Sequence, residues 1–218
     1  MNKTHDINNS LIIKIYGLQE YKKILLKMQN FTNKRNKFSL DEIWFLQHYP
    51  VFTHGQNINI KDILKYSNIP IINSDRGGQI TFHGPGQQII YFMINLRRKK
   101  FNIKKLIFNI TKIIINSLLY FKINSEYNQI MPGIYVNSKK ICSLGFRIKN
   151  GCSFHGLALN VSMNLYPFTY INPCGKLNLK MTQMHDLIPK INISKVLPIL
   201  INETINVLNI KYASIQIK

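Results

Sequence analysis

Acidic residues are scarce in this chain. Nine Asp and Glu stand against 29 Lys and Arg in 218 residues, a formal net charge of +20. A surplus of that sign would suit a polyanionic partner. Yet Ile, Asn and Lys together make up roughly two residues in five, far above ordinary usage. These three share A/T-rich codons, so drift in base composition raises the isoelectric point without selection for a polyanion. The cations are also scattered, with "RRKK" (Arg97–Lys100) as the one block. That block reads either as a solvated turn after a strand or as a docking face for an acidic protein. Cations interleaved with aromatics, the pattern of a single-strand-binding face, are missing. No nucleic-acid partner is expected.

Long apolar runs are missing too. No stretch reaches 18 uncharged apolar residues, which argues against a membrane-spanning helix. The opening "MNKTHDINNS" lacks the basic-then-apolar order of a secretion signal. Cysteine is scarce and odd in number: Cys142, Cys152 and Cys174. With no export signal these read as reduced thiols, and the expected location is cytoplasmic.

What is present describes one well-filled core. The length suits a single domain over residues 1–218, and 45% hydrophobic residues is ordinary for a globular protein. "LIIKIYGL" (Leu11–Leu18) is β-branched and reads as a strand. Residues 19–32 carry Tyr21, Ile24, Leu25 and Met28 at helical spacing. "DEIWFLQHYPVFT" (Asp41–Thr53) reads as a strand interrupted at Pro50. "IKDILKYS" reads as a short helix, then "IPIINSD" and "QQIIYFMINL" as strands. Residues 102–121, free of Gly and Pro, form a long helix. "GIYVNSKKICSLGFRI" is a hairpin turning at Asn137-Ser138, and "SFHGLALNVSM" another strand. The tail "ISKVLPILINETINVLNI" is helical, with Pro198 in its first turn or at a kink. Hairpin-like strand runs with irregularly placed helices predict an α+β domain with a mixed or antiparallel sheet.

Between two of these strands lies "RGGQITFHGPGQQ" (Arg76–Gln88), holding four of the chain's eleven glycines. It is too long for a plain hairpin turn. A phosphate loop would end in Gly-Lys-Ser/Thr, which is missing. A dinucleotide fingerprint would need glycine where Ile89 stands. The glycines therefore serve another close approach of backbone to a ligand, or only a turn. His83 in this stretch and His155 in "CSFHGLA" are each either site residues or hydrogen-bonded structural histidines. His5, His48, His54 and His185 show no partner pattern. Cys152 and His155 make a Cys-x-x-His pair, but the other cysteines are isolated, so no metal is expected.

Cys174 sits in "YINPCGK", where Pro173 and Gly175 make a turn. Cys142 and Cys152 adjoin strands, the usual place of a small buried hydrophobe. The turn cysteine is the better nucleophile, and a neighbouring glycine lets backbone amides approach a developing oxyanion. Its activation needs a nearby base or cation. Lys139, Lys140, His83 and His155 could each serve, and spacing does not choose among them.

Several segments in chain order resemble the lipoyl(octanoyl) transferase family. They are "DEIWFLQHYPVFTHGQ", "SDRGGQITFHGPGQQIIY", "MPGIYVNSKKICSLGFRI", "GCSFHGLALNVSMNLYPFTYINPCG" and "MTQ", from about residue 41 to 183. The resemblance implies an enzyme that takes an octanoyl group from acyl carrier protein and places it on a specific lysine. Its acceptors would be lipoyl domains of 2-oxoacid dehydrogenases and the glycine-cleavage carrier protein, with no cofactor. It implies the fold of the biotin and lipoate ligase catalytic domain. The family's acyl-thioester cysteine falls on Cys174 and its activating lysine on Lys140. Substrate-contacting segments fall on Arg76, Gly77, Gly78, Gln79, Ile80, Thr81, Phe82 and His83, on Ser143, Leu144 and Gly145, and on Gly156, Leu157 and Ala158. Glycines 77, 78, 84 and 86 would then clear a path for the acyl chain, framed by Arg76 and His83. Two departures stand out. The segment after "CG" is Lys176-Leu177-Asn178 where an aromatic-glycine pair is usual, and Lys180 precedes "MTQ" where an acidic residue is common.

Overall fold

The computed structural model describes residues 7–56, 59–177 and 179–218; His5 and Asn178 lie outside the described residues. Strand β1 (Ser10–Gln19) leads into helix α1 (Tyr21–Lys34), which buries Tyr21, Ile24, Leu25 and Met28 along one stripe. β2 (Asp41–His48) and β3 (Val51–His54) are separated by Tyr49-Pro50 and lie in different sheets. The interruption predicted at Pro50 is therefore a change of sheet. β4 (Ile71–Asn73), β5 (Thr81–His83) and β6 (Gln87–Met93) follow, then the one-turn helix α2 (Leu96–Lys99). Helix α3 (Ile103–Tyr120) starts at Asn102, whose side chain accepts from the Lys105 amide. β7 (Glu126–Asn128), β8 (Gly133–Val136), β9 (Lys139–Lys149) and β10 (Cys152–Asn160) form an antiparallel run. Helix α4 (Ile193–Val207) and β11 (Tyr212–Ile217) close the chain.

Eight strands form one sheet in the order β11-β1-β2-β6-β10-β9-β8-β7, and three form another, β4-β3-β5. β1 runs parallel to both neighbours, whereas the ladder from β2 to β7 is antiparallel. This is the predicted α+β class with mixed sheets. Alternation along the strands gives the large sheet two packed faces. Ile43 and Phe45 of β2 face the side of α3 and α4, with Ile110, Ile113 and Leu200. Trp44 and Leu46 face α1, with Ile24 and Met28. The small sheet covers a third cluster built on Phe52, Phe82 and Phe168.

Asn137 and Ser138 both take positive φ (48° and 61°), and Val136 pairs with Lys139 across them. That is the two-residue turn whose twist suits a hairpin. One expectation needs correction, and two details are added. "IKDILKYS" is helical only as a 3-10 turn at Ile60–Asp62, because the Leu64 and Lys65 amides both donate to the Tyr170 carbonyl. That tie draws the segment away from a helix. Pro198 lies in the second turn of α4, and the helix continues past it. Beyond the segment read as helical lies a strand, β11, over residues for which the sequence pattern suggested no element.

Within Arg97–Lys100, Arg97 and Lys100 are exposed and the other two are engaged. The Arg98 side chain is 8% exposed; its Nη2 donates to Asp41 Oδ1 at 2.6 Å while its Nη1 donates to the Ser39 carbonyl. Arg35 reaches the same Asp41 oxygen at 2.7 Å. The Lys99 ammonium donates to the Asn8 carbonyl. Among the described residues no helix is long and apolar enough to cross a membrane.

Candidate active site

Lys140 stands second in β9, and its side chain is fully buried (0% exposed). The β8–β9 register slips by one residue beside it, between the pairs Ile134–Cys142 and Tyr135–Lys140. Such a bulge re-aims a side chain. Both backbone groups of Lys140 are held by the segment that returns from Cys174. Its amide donates to the Lys180 carbonyl, and its carbonyl accepts from the Thr182 amide, each at 2.9 Å. Gly133 of β8 leaves the slot for the lysine stem; a Cβ there would stand 2.3 Å from Lys140 Cε.

Cys174 sits inside a 3-10 turn, Pro173–Gly175, at φ 58° and ψ 23°. A left-handed backbone is uncommon for a residue with a Cβ and is concentrated at functional positions. The turn is anchored by the Asn172 amide, which donates to the Asp62 carbonyl at 2.8 Å. Lys140 Nζ donates to Cys174 Sγ at 3.1 Å. The ammonium also lies 5.5 Å from the centre of the Tyr135 ring, a contact that suits a cation taken out of water. Lys139, the neighbouring candidate, is exposed. Burial pushes the Cys142 thiol up to about 12 and raises that of Cys152. Both are buried, and Cys174 is the accessible thiol of the three.

A cavity of about 530 Å³, counting its open mouth, runs from Cys174 across β6, β9 and β10. Arg76, Gly78, Gln79, Ile80, Thr81, His83, Ser143, Leu144, Gly145, Gly156, Leu157 and Ala158 all line it. Sequence reasoning missed Tyr21, Ile89 and Tyr91, which line it too. They looked like ordinary core positions, and only the sheet order brings them here. Gly77 borders a second groove on the other side of Cys174. Phe82 lines neither; its ring packs against Phe52 and Phe168 in the third core cluster. Gly84 and Gly86 do not open the cavity either. Gly86 has φ 84°, and a Cβ there would strike the Ser162 carbonyl at 2.1 Å.

Arg76 shapes the glycine-rich loop from inside. Its guanidinium donates to the carbonyls of Thr53, Gly77 and Gln79 and to Thr53 Oγ1. His83 has Nδ1 2.7 Å from Gln87 Oε1 and Nε2 3.2 Å from Thr53 Oγ1. Gln87 Nε2 in turn donates to Asn160 Oδ1, and Asn160 Nδ2 to the Thr182 carbonyl. The amide oxygen can only accept, so His83 carries its hydrogen on Nδ1. Burial and the neighbouring His48 push its pKa down to about 3, so the ring is neutral. His83 is thus a polar, uncharged end wall.

His155 has Nε2 2.7 Å from Asp75 Oδ1. Burial lowers its pKa, and the neutral ring donates from Nε2 to the carboxylate. An Asp–His pair could serve a triad, but the hydrogen bond to the sulfur comes from Lys140. Of the Cys152/His155 pair, His155 Nε2 bonds Asp75 and Cys152 Sγ lies 3.9 Å from the Asn150 carbonyl. The expected backbone donors next to Cys174 are also engaged. The Gly175 amide donates to the Asn172 carbonyl and the Lys176 amide to the Pro173 carbonyl.

Residues 21–205 match the family of the lipoyl protein ligase A/B catalytic domain. The chain belongs to this family. It is 53% identical over 196 residues to the octanoyltransferase of Wigglesworthia glossinidia brevipalpis, covering 89% of each chain. It is 45% identical over 199 residues to the octanoyltransferase of Pectobacterium atrosepticum, covering 91% of this chain and 88% of that one. Among solved structures it is similar to a bipartite lipoate protein ligase from Thermoplasma acidophilum. That likeness has a TM-score of 0.74 at 13% identity and covers 94% of this chain and 87% of that one. A biotin protein ligase from Aquifex aeolicus, with biotin and ATP bound, gives a TM-score of 0.59 at 12% identity, covering 91% and 70%. These structures share the fold, as the sequence resemblance implied.

Proposed function

We propose that this octanoyltransferase-family chain moves an octanoyl group from acyl carrier protein to a specific lysine of lipoyl domains, through a thioester on Cys174. The observation that carries the reading is the 3.1 Å contact between the buried Lys140 ammonium and the Cys174 sulfur. A cation held against a thiol favours the thiolate, the nucleophilic form.

In the first half-reaction Cys174 Sγ attacks the donor's thioester carbon. The bond from that carbon to the carrier sulfur breaks. The proton from the Cys174 thiol passes by way of Lys140 to the departing thiolate. In the second half, the acceptor's ε-amine attacks the acyl-cysteine, and the bond from carbon to Sγ breaks. Lys140 takes the amine proton and returns it to the sulfur. One site thus serves two substrates in turn, which is ping-pong kinetics.

The acyl tail lies in the cavity lined by Ile80, Ile89, Leu144, Leu157 and Ala158. At about 0.8 kcal/mol per methylene, seven such groups contribute roughly 5 kcal/mol at most. Chain length is then discriminated by about 1–3 kcal/mol per carbon. The glycine-cleavage carrier protein is a second acceptor of the same kind, and three free thiols suit a reducing, cytoplasmic setting. The rival reading, an ATP-dependent ligase of the same fold, gives the cysteine–lysine contact nothing to do.

Intact mass after incubation with octanoyl-carrier protein tests the reading. One octanoyl adduct on the wild type is expected, absent in Cys174→Ser and retained in Cys142→Ser and Cys152→Ala. An adduct mapping to Cys152, or product formation that requires ATP, would sink it.

A further inference from the structure

Cys174 stands where two cavities meet. The first, running over β6 and β10, takes the acyl chain in the function proposed above. The second is an apolar groove between the first turns of α3, the segment 127–132 and the outer half of β9. Its walls include Ile103, Ile107, Met131, Pro132, Phe146 and Ile148. The two cavities share Gly78, Gln79, Leu144, Gly145 and Cys174.

A thioester has two arms, and both need room when its carbon is bound to Sγ. If the acyl arm fills one cavity, the thiol arm must leave by another opening that reaches the same sulfur. Only a groove touching Cys174 meets that demand. The cavity beyond Pro173, bordered by Leu64, Tyr166 and Leu179, does not include Cys174.

We propose that this second groove binds the thiol arm of the donor, a long linear chain with amide bonds ending in a phosphate. Its apolar walls suit the methylenes and methyl groups of such an arm. An exposed cation, Lys176, borders the groove and matches the terminal phosphate. This assignment rests on the thioester reading, and it adds where selectivity for the donor's leaving group lies.

The experiment compares two donors with the same acyl group: octanoyl-phosphopantetheine, with the full arm, and octanoyl-N-acetylcysteamine, with a short stub. Octanoyl adduct formation is followed by quenched intact mass on the wild type, Ile107→Trp, Met131→Trp and Lys176→Glu. The two tryptophans narrow the groove from opposite walls, and their melting temperatures verify folding. In whichever of them folds, the ratio of the long-arm to the short-arm rate constant falls at least tenfold. Lys176→Glu lowers that ratio severalfold. A ratio within about twofold of wild type in the folded tryptophan variants would overturn the groove assignment. A wild type that takes no octanoyl from either donor would overturn the thioester reading itself, and the groove with it.

Discussion

Gly133 and Lys140 occupy one space on neighbouring strands: a Cβ at position 133 would lie 2.3 Å from Lys140 Cε and 3.0 Å from Nζ. The absent side chain is what lets the lysine reach the sulfur. In Gly133→Ala the tip of the lysine, the most flexible part of the clash, gives way first. A shift of about 1 Å is enough to cost about 10²-fold in rate when a reacting group leaves its geometry. Octanoyl adduct formation should therefore slow at least tenfold, while overpacking costs about 1–3 kcal/mol of stability. Wild-type acylation in a folded Gly133→Ala protein would show that the lysine does not need this position.

Lys140 itself is expected to act by moving a proton as well as by its charge. Lys140→Ala should lower the acylation rate by about 10²-fold or more, the scale of a lost general acid or base. Lys140→Arg keeps the charge but cannot accept the proton, and its larger head does not fit a slot without Cβ at Gly133. It should be nearly as slow as the alanine variant. A near-normal rate for Lys140→Arg, measured by single-turnover acylation, would reduce the lysine to a fixed positive charge.

Asp41 should be among the most sensitive positions for stability. Its carboxylate is fully buried and accepts from Arg35, Arg98 and the Asn95 amide at 2.6–2.8 Å. Asp41→Asn leaves two buried guanidinium groups without their countercharge. Breaking a buried pair in this way costs about 3–5 kcal/mol, which lowers Tm by roughly 10 °C in a chain of this size. The exposed Glu20–Lys23 pair gives the contrast. Glu20→Gln should change stability by less than about 1 kcal/mol. Equal Tm losses in the two variants would contradict this account of Asp41.

Much of this was legible in the residues, for identifiable reasons. Helix α3 was legible because 18 residues repeat apolar positions every three or four. The β8–β9 turn was legible because Asn137-Ser138 is a short polar pair between two apolar runs. β11 was missed because it is an edge strand with most of its residues exposed, so no face of it reads as buried. The small sheet was not assembled because its strands are three or four residues long. Within the site, turn context singled out Cys174, but no spacing joins it to a lysine 34 positions earlier. Only the return of residues 180–182 alongside Lys140 does that. Likewise, Gln87 and Asn160 looked like strand polar residues, yet they join His83 to the strip that holds Lys140.

The buried histidines predict how stability responds to acid. His48 has Nδ1 3.0 Å from the Gln19 carbonyl and Nε2 2.8 Å from the Tyr91 hydroxyl. Nδ1 therefore donates to that carbonyl; burial favours the neutral ring, in which Nε2 accepts from the Tyr91 hydroxyl. Burial pushes His48 down to about 4 and His83 to about 3. In the unfolded chain both return to about 6.5. Between pH 6.5 and about 4 the unfolded chain binds protons that the folded chain refuses, so stability falls as pH falls through that window. At pH 5 each ring costs about 2 kcal/mol relative to neutral pH. Asp75 acts in a separate window. Burial raises its pKa, but the hydrogen bonds from His155 and Gln29 and the nearby Arg147 charge outweigh that and lower it, so its contribution is lost only at more acidic pH. The urea midpoint should therefore drop steadily from pH 7.5 to pH 5, and unfolding at pH 5 should take up about two protons from these rings. His48→Gln should flatten the slope by about half while lowering stability at pH 7.5. A midpoint that does not move between pH 7.5 and pH 5 would mean that the two rings are not held neutral in the folded protein.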